Sequence, residues 1–129
     1  MDDLNIEATA YTPAIWYDPE GRSLTIRGET YPENAMEAYA PLFEWLDRYL
    51  GRGGSQKLTV NVELNYFNSS SRKALINLFD LLDTAARRGR QIILNWIYDE
   101  DDADNLEFGE EFQADLRYLK FNFIEKPAK

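Results

Sequence analysis

Between Leu58 and Arg88 the spacing of apolar residues changes once, and that change constrains the fold more than any other feature of the chain. Over residues 58–66 apolar side chains occupy every second position (Leu58, Val60, Val62, Leu64, Tyr66), with Thr59, Asn61, Glu63 and Asn65 between them. This is a strand that buries one face. After Asn68, Ser69, Ser70 and Ser71 the period lengthens, and Leu75, Leu78, Phe79, Leu82 and Ala86 recur at intervals of three and four. This is an amphipathic helix. Three hydroxyls therefore stand where a strand becomes a helix, at the positive end of the helix dipole.

The remaining segments repeat that alternation. Residues 14–17 and 23–27 read as a hairpin joined through Asp18, Pro19, Glu20 and Gly21. A helix is predicted over 33–50, with Tyr39, Leu42, Phe43, Leu46, Tyr49 and Leu50 on its apolar face. Glycines at 51, 53 and 54 end it in a short connection. Residues 91–98 form the most apolar strand and belong in the interior of the sheet. An acidic run from Asp99 to Asp104 leads into a helix carrying Leu106, Phe108, Phe112 and Leu116, and residues 120–124 close the chain as a strand. The order β-β-α-β-α-β-α-β makes this an α/β chain: one domain over 1–129, with a mixed sheet and right-handed crossovers. The polar parity of 58–66 places the helices mainly on one face and leaves the other partly wet.

Composition removes several kinds of chemistry. With neither cysteine nor histidine, the chain has no thiol nucleophile, no Ser-His-Asp triad and none of the usual zinc ligands. A formal net charge of −9 disfavours nucleic acid and anionic membrane surfaces as partners, because phosphate contacts need a basic face. The acidic N-terminus lacks the pattern of a leader and no apolar run reaches membrane-spanning length, so a cytoplasmic protein is expected. There is no Gly-rich phosphate cradle, and the acidic run lacks EF-hand spacing, so neither cofactor nor metal is expected.

The serine cluster is the strongest candidate site. A helix needs one capping hydroxyl or amide, yet here Asn68, Ser69, Ser70 and Ser71 all compete for that role. Arg72 and Lys73 follow in the first turn, where the dipole disfavours cations but where they would suit a phosphoryl group. The same residues also spell a serine–lysine pair, Ser70 and Lys73, the minimal pattern of a small serine-dependent enzyme, without the companion motifs that such enzymes carry. Trp45, off the apolar stripe of its predicted helix, reads as a surface anchor for a partner.

Taken together, Tyr11-Thr12-Pro13, Tyr31-Pro32-Glu33-Asn34, Glu44-Trp45-Leu46, Tyr66-Phe67-Asn68-Ser69-Ser70-Ser71 and Asn95-Trp96-Ile97-Tyr98 resemble, in order and spacing over about residues 6–124, the SiaC family of bacterial regulatory phosphoproteins. The resemblance implies a non-enzymatic switch with a fold like that of the anti-sigma-factor antagonists (STAS-like). It implies a cognate protein kinase, a PP2C-type phosphatase, and a diguanylate cyclase that the unphosphorylated form binds and activates, with cyclic-di-GMP and biofilm control downstream. By position the phosphoacceptor is Ser69, where a member of the family has threonine, with Ser70 and Ser71 as rivals. Tyr31, Pro32, Glu33 and Asn34 would flank the partner surface. A constitutive scaffold of the same fold is the alternative without a switch.

Overall fold

Three parallel crossovers in succession set the architecture. The computed structural model describes residues 4–52 and 57–127, and Gly53, Gly54 and Ser55 of the predicted connection lie outside them. In chain order the elements are β1 (Asn5–Ile6), β2 (Ala14–Asp18), β3 (Ser23–Thr30), α1 (Ala35–Ala38), α2 (Ala40–Gly51), β4 (Leu58–Phe67), α3 (Ser69–Arg87), β5 (Ile92–Asp99), α4 (Ala103–Ala114) and β6 (Lys120–Lys126). The six strands lie side by side in sequence order. β1, β2 and β3 pair antiparallel, and β3 to β6 pair parallel. Each parallel connection steps to the next strand in the same direction, so right-handed crossovers deliver every helix to the same face. That leaves all the helix N-termini at one end, beyond the C-terminal ends of β3, β4 and β5.

The covered face is built from rows of Cα partners: Tyr17, Leu24, Val60, Leu94 and Phe121 in one, and Ile15, Ile26, Val62, Trp96 and Phe123 in the next. On α3, Leu75, Leu78, Phe79 and Leu82 are buried, and the Phe79 ring meets those of Trp96 at 6.3 Å and Phe121 at 5.9 Å. Each such large apolar side chain contributes about 1.5–3 kcal/mol by leaving water. The opposite face is polar, as the alternation in β4 requires. Asn95 donates to Asn61 at 2.9 Å and Asn122 to Asn95 at 3.3 Å, while Glu63 pairs with Arg27 and Lys126.

Three sequence expectations need correction. The helix expected over 33–50 is two helices, because Pro41 has no N–H to bond the carbonyl four residues back, and the chain breaks at Tyr39 between α1 and α2. Trp45 is not a surface anchor: it is 1% exposed and packs against Tyr49 at 5.0 Å and Tyr17 of β2 at 4.7 Å. The stripe that α2 buries is Leu42, Trp45, Leu46 and Tyr49, a cleaner spacing of three and four than the one expected, and the edge of the sheet needs that cover.

The third correction lies at the end of β4. Gly28 pairs with Leu64 but Glu29 pairs with Tyr66, so Asn65 is an extra residue and the register shifts. A bulge of one residue reverses parity. Tyr66, expected inside, is 53% exposed, and Phe67 turns inward to meet Trp96 at 6.3 Å and Phe112 at 6.0 Å. Gly28 sits opposite the bulge at φ +131°, with its α-carbon face against Pro13, a conformation that a side chain would strain. A short strand, β1, also precedes the predicted hairpin.

Candidate functional site

The bulge delivers the chain directly into the serine cluster, and there the three hydroxyls part company. Asn68, not a serine, caps α3: its side-chain oxygen accepts the Ser71 N–H at 2.9 Å. Its amide nitrogen donates to the Pro32 carbonyl at 3.1 Å. Ser71 is fully buried and shares a hydrogen bond of 2.8 Å with Thr30 at the end of β3. The Tyr39 hydroxyl donates to the same Thr30 oxygen. Burial pushes the Tyr39 phenol up to about 12, so this donor keeps its proton across the neutral range. Ser70 accepts the Ala35 N–H at 3.0 Å and so helps to hold the start of α1. Ser69 is exposed and has no hydrogen-bond partner among the described residues.

The Tyr31–Asn34 loop is brought against this site through the Asn68–Pro32 hydrogen bond. Asn34 caps α1 by accepting the Glu37 N–H at 3.2 Å, and Pro32 is tied to Asn68. Tyr31 is 38% exposed and meets Tyr11 at 5.6 Å and Tyr66 at 5.9 Å, both edge to face. Three tyrosine rings thus stand together beside the start of α3. Neither Tyr11 nor Tyr66 was expected from the sequence to stand at the site. The signal for Tyr66 was weak: a strand whose alternation runs into an Asn-Tyr-Phe-Asn turn can carry a bulge, but nothing in the spacing fixes where.

The two cations behave differently. Arg72 is drawn sideways to α4, where it bonds Glu111 at 3.4 Å and lies over the rings of Phe112 at 5.4 Å and Phe108 at 5.9 Å. Lys73 is exposed. At α4 the acidic run has a structural role, since Asp102 caps that helix by accepting the Asn105 N–H at 3.0 Å. No group of acidic side chains among the described residues is disposed to hold a metal ion, and no described helix is long and apolar enough to cross a membrane.

The chain as a whole has counterparts among known proteins. Residues 6–126 match the SiaC family regulatory phosphoproteins. The chain belongs to that family. An uncharacterised protein of Pseudomonas aeruginosa (strain UCBPP-PA14) is 37% identical over 118 residues, which is 92% of this chain and 93% of the relative. The crystal structure of apo-SiaC from Pseudomonas aeruginosa superimposes with a TM-score of 0.87 at 36% identity, covering 96% of this chain and 99% of that one. A chain in the crystal structure of the diguanylate cyclase SiaD in complex with its activator SiaC, from the same organism, gives a TM-score of 0.88 at 35% identity, covering 96% and 100%. The likeness to SiaC thus extends over nearly the whole chain.

Proposed function

We propose that this SiaC-family chain is a cytoplasmic, non-catalytic phospho-switch whose unphosphorylated form binds and activates a diguanylate cyclase. Phosphorylation of Ser69 by a protein kinase releases the cyclase, and a PP2C-type phosphatase restores binding. The observation that carries the choice of residue is the division of labour among the hydroxyls: Ser70 holds Ala35 and Ser71 is buried against Thr30, while Ser69 is exposed and uncommitted. The cyclase is supported by the structural relative, an activator bound to such an enzyme.

The switch needs no refolding. A phosphoryl group on Ser69 would meet the unpaired N–H groups of the first turn of α3 and the favourable end of its dipole, with Lys73 one turn away. It would add about −1.5 to −2 charges to a surface that the partner must dehydrate. A penalty of about 3 kcal/mol weakens binding more than a hundredfold.

Peptide mass spectrometry of the chain from its native host, before and after PP2C-type phosphatase treatment, tests the residue. Titration of the cyclase with Ser69→Ala and Ser69→Asp variants tests the consequence. A phosphatase-sensitive phosphate on Ser69, with Ser69→Ala binding like the unmodified chain and Ser69→Asp at least about a hundredfold weaker, is the expected result. A phosphate on Ser70 or Ser71 instead, or a Ser69→Asp chain that binds and activates normally, overturns it.

A further inference from the structure

Arg72 stands one turn from Ser69 and is engaged elsewhere. Ser69 opens α3 and Arg72 follows three residues on, so the two share a face of the helix, about 5–6 Å apart at their β-carbons. Long side chains on a helix lean towards its N-terminus, and that lean puts Ser69 within the reach of Arg72. The guanidinium is instead held across to α4, 3.4 Å from Glu111 and over the rings of Phe112 at 5.4 Å and Phe108 at 5.9 Å.

That tie is weak. The Arg72 side chain is 36% exposed and that of Glu111 57%, and a single long contact between exposed charges adds little to stability. A carboxylate carries one charge, whereas a phosphoryl group carries about −1.5 to −2 and presents three acceptor oxygens, which a forked guanidinium can bond two at a time. Of the charged groups on the elements around this turn, which are Lys73 on α3, Glu33 and Glu37 at the start of α1, and Asp104 and Glu111 on α4, only Glu111 is paired with a cation of α3 among the described residues.

We propose that Arg72 is a latch between the two helices: in the unmodified chain it ties α3 to Glu111 of α4, and a phosphate on Ser69 takes it over. This rests on the reading of Ser69 as the phosphoacceptor. The exchange frees the Glu111 carboxylate and draws the guanidinium off Phe108 and Phe112, so a modification on α3 also changes the charge and the apolar exposure of α4. Arg72 is thus a positioning residue for the phosphate, and Lys73, with no partner on α4, is not part of the exchange.

The test is phosphorus NMR of the full chain with phosphoserine installed at position 69 during translation, in the natural sequence and with Arg72→Gln, Lys73→Gln, Glu111→Gln, and Arg72→Gln combined with Glu111→Gln. Circular dichroism checks that each variant folds. A phosphoserine takes up its second proton at about pH 6, and a cation on the phosphate favours the dianion and lowers that midpoint. Arg72→Gln should raise the midpoint by about half a pH unit or more, and by more than Lys73→Gln does. Glu111→Gln should lower it, because Arg72 loses its competing partner, and this effect should largely vanish in the combined variant. In amide spectra, phosphorylation should shift the signals around Glu111 in the natural sequence and leave them in place in Arg72→Gln. The latch is overturned if Lys73→Gln has the larger effect, if Glu111→Gln acts equally without Arg72, or if the α4 signals stay in place on phosphorylation. The switch is judged apart, by binding of the cyclase to the same phosphoserine chain: undiminished binding overturns the switch, whatever Arg72 does.

Discussion

The starts of α3 and α4 are built on the same plan and carry opposite electrostatics. In each, an Asx side chain caps the helix by accepting the N–H three residues on, Asn68 from Ser71 at 2.9 Å and Asp102 from Asn105 at 3.0 Å. In each, that third residue is buried and reaches back to a neighbouring strand: Ser71 to Thr30, and Asn105 to the Leu64 carbonyl. The difference lies in the other residues around the cap. α4 begins amid Asp99, Glu100, Asp101 and Asp104, whereas α3 begins with Ser69, Ser70, Arg72 and Lys73. One helix dipole is already complemented by fixed carboxylates, whereas the other has no acidic residue in its first turn. On the proposal that Ser69 is phosphorylated, the phosphate would meet no fixed carboxylate in the first turn of its helix.

How firmly each helix is held can be broken most severely at Gly109. A Cβ there would stand 2.6 Å from the Trp96 ring and 2.9 Å from Phe123, in the contact that seats α4 on β5 and β6. Gly109→Ala should cost about 3 kcal/mol, the upper range for overpacking. Thermal or denaturant unfolding reads that loss, and because Trp96 also donates to the Asn105 carbonyl at 3.0 Å, its fluorescence should change with it. α3 is anchored at its far half instead, through Asp83. One oxygen of that carboxylate accepts the N–H groups of Arg117, Tyr118 and Leu119 at 3.1, 2.8 and 2.8 Å. Asp83→Ala should cost about 1 kcal/mol, because the exposed N–H groups of Arg117 and Tyr118 regain water and only that of Leu119 is part-buried. Burial opposes ionisation of Asp83, but the three N–H groups and Arg117 more than offset it and hold the carboxyl below its usual range. Its contribution is therefore complete above about pH 4 and is lost as the pH falls through the lowered value. The gap in stability between the unmodified chain and Asp83→Ala should narrow in acid.

Much of this was legible beforehand, and the failures have a common cause. Period two over β4 and period three to four over α3 gave the switch between them, and the polar parity of Thr59, Asn61 and Glu63 gave the open face on which Asn61, Asn95 and Asn122 now form a ladder. The position of the serines was plain as well. Which of them is committed was not, because Thr30 and Ala35 lie 41 and 35 residues from their serine partners. Tyr66 was misplaced because a bulge is a property of a strand pair, set by Gly28 across the ladder as much as by Asn65. Trp45 was misplaced because two overlapping stripes of three-and-four spacing can be drawn on α2, and only packing against Tyr17 of β2 selects the one through Trp45. Local period survives into the structure wherever the chain runs regularly. It fails one residue past an irregularity, and here the irregularities surround the site.

The smallest effect is the most pointed test of the contrast between the two helix starts. Asparagine and aspartate cap almost equally well, so exchanging them changes charge while keeping the cap. Asp102→Asn should lose about 0.3–1 kcal/mol of stability through the dipole alone, and the loss should fade as salt is raised. Asn68→Asp gains the same interaction at α3 but gives up the donor to the Pro32 carbonyl, so the two changes should nearly cancel in stability. They should not cancel in binding. A carboxylate at 68 sets a permanent negative charge beside Ser69 and loosens the loop that carries Tyr31, so the cyclase should bind Asn68→Asp more weakly than Asp102→Asn, although the latter is the less stable protein. If binding instead follows stability through this pair, the start of α3 has no special electrostatic role, and the two helix starts differ in sequence only.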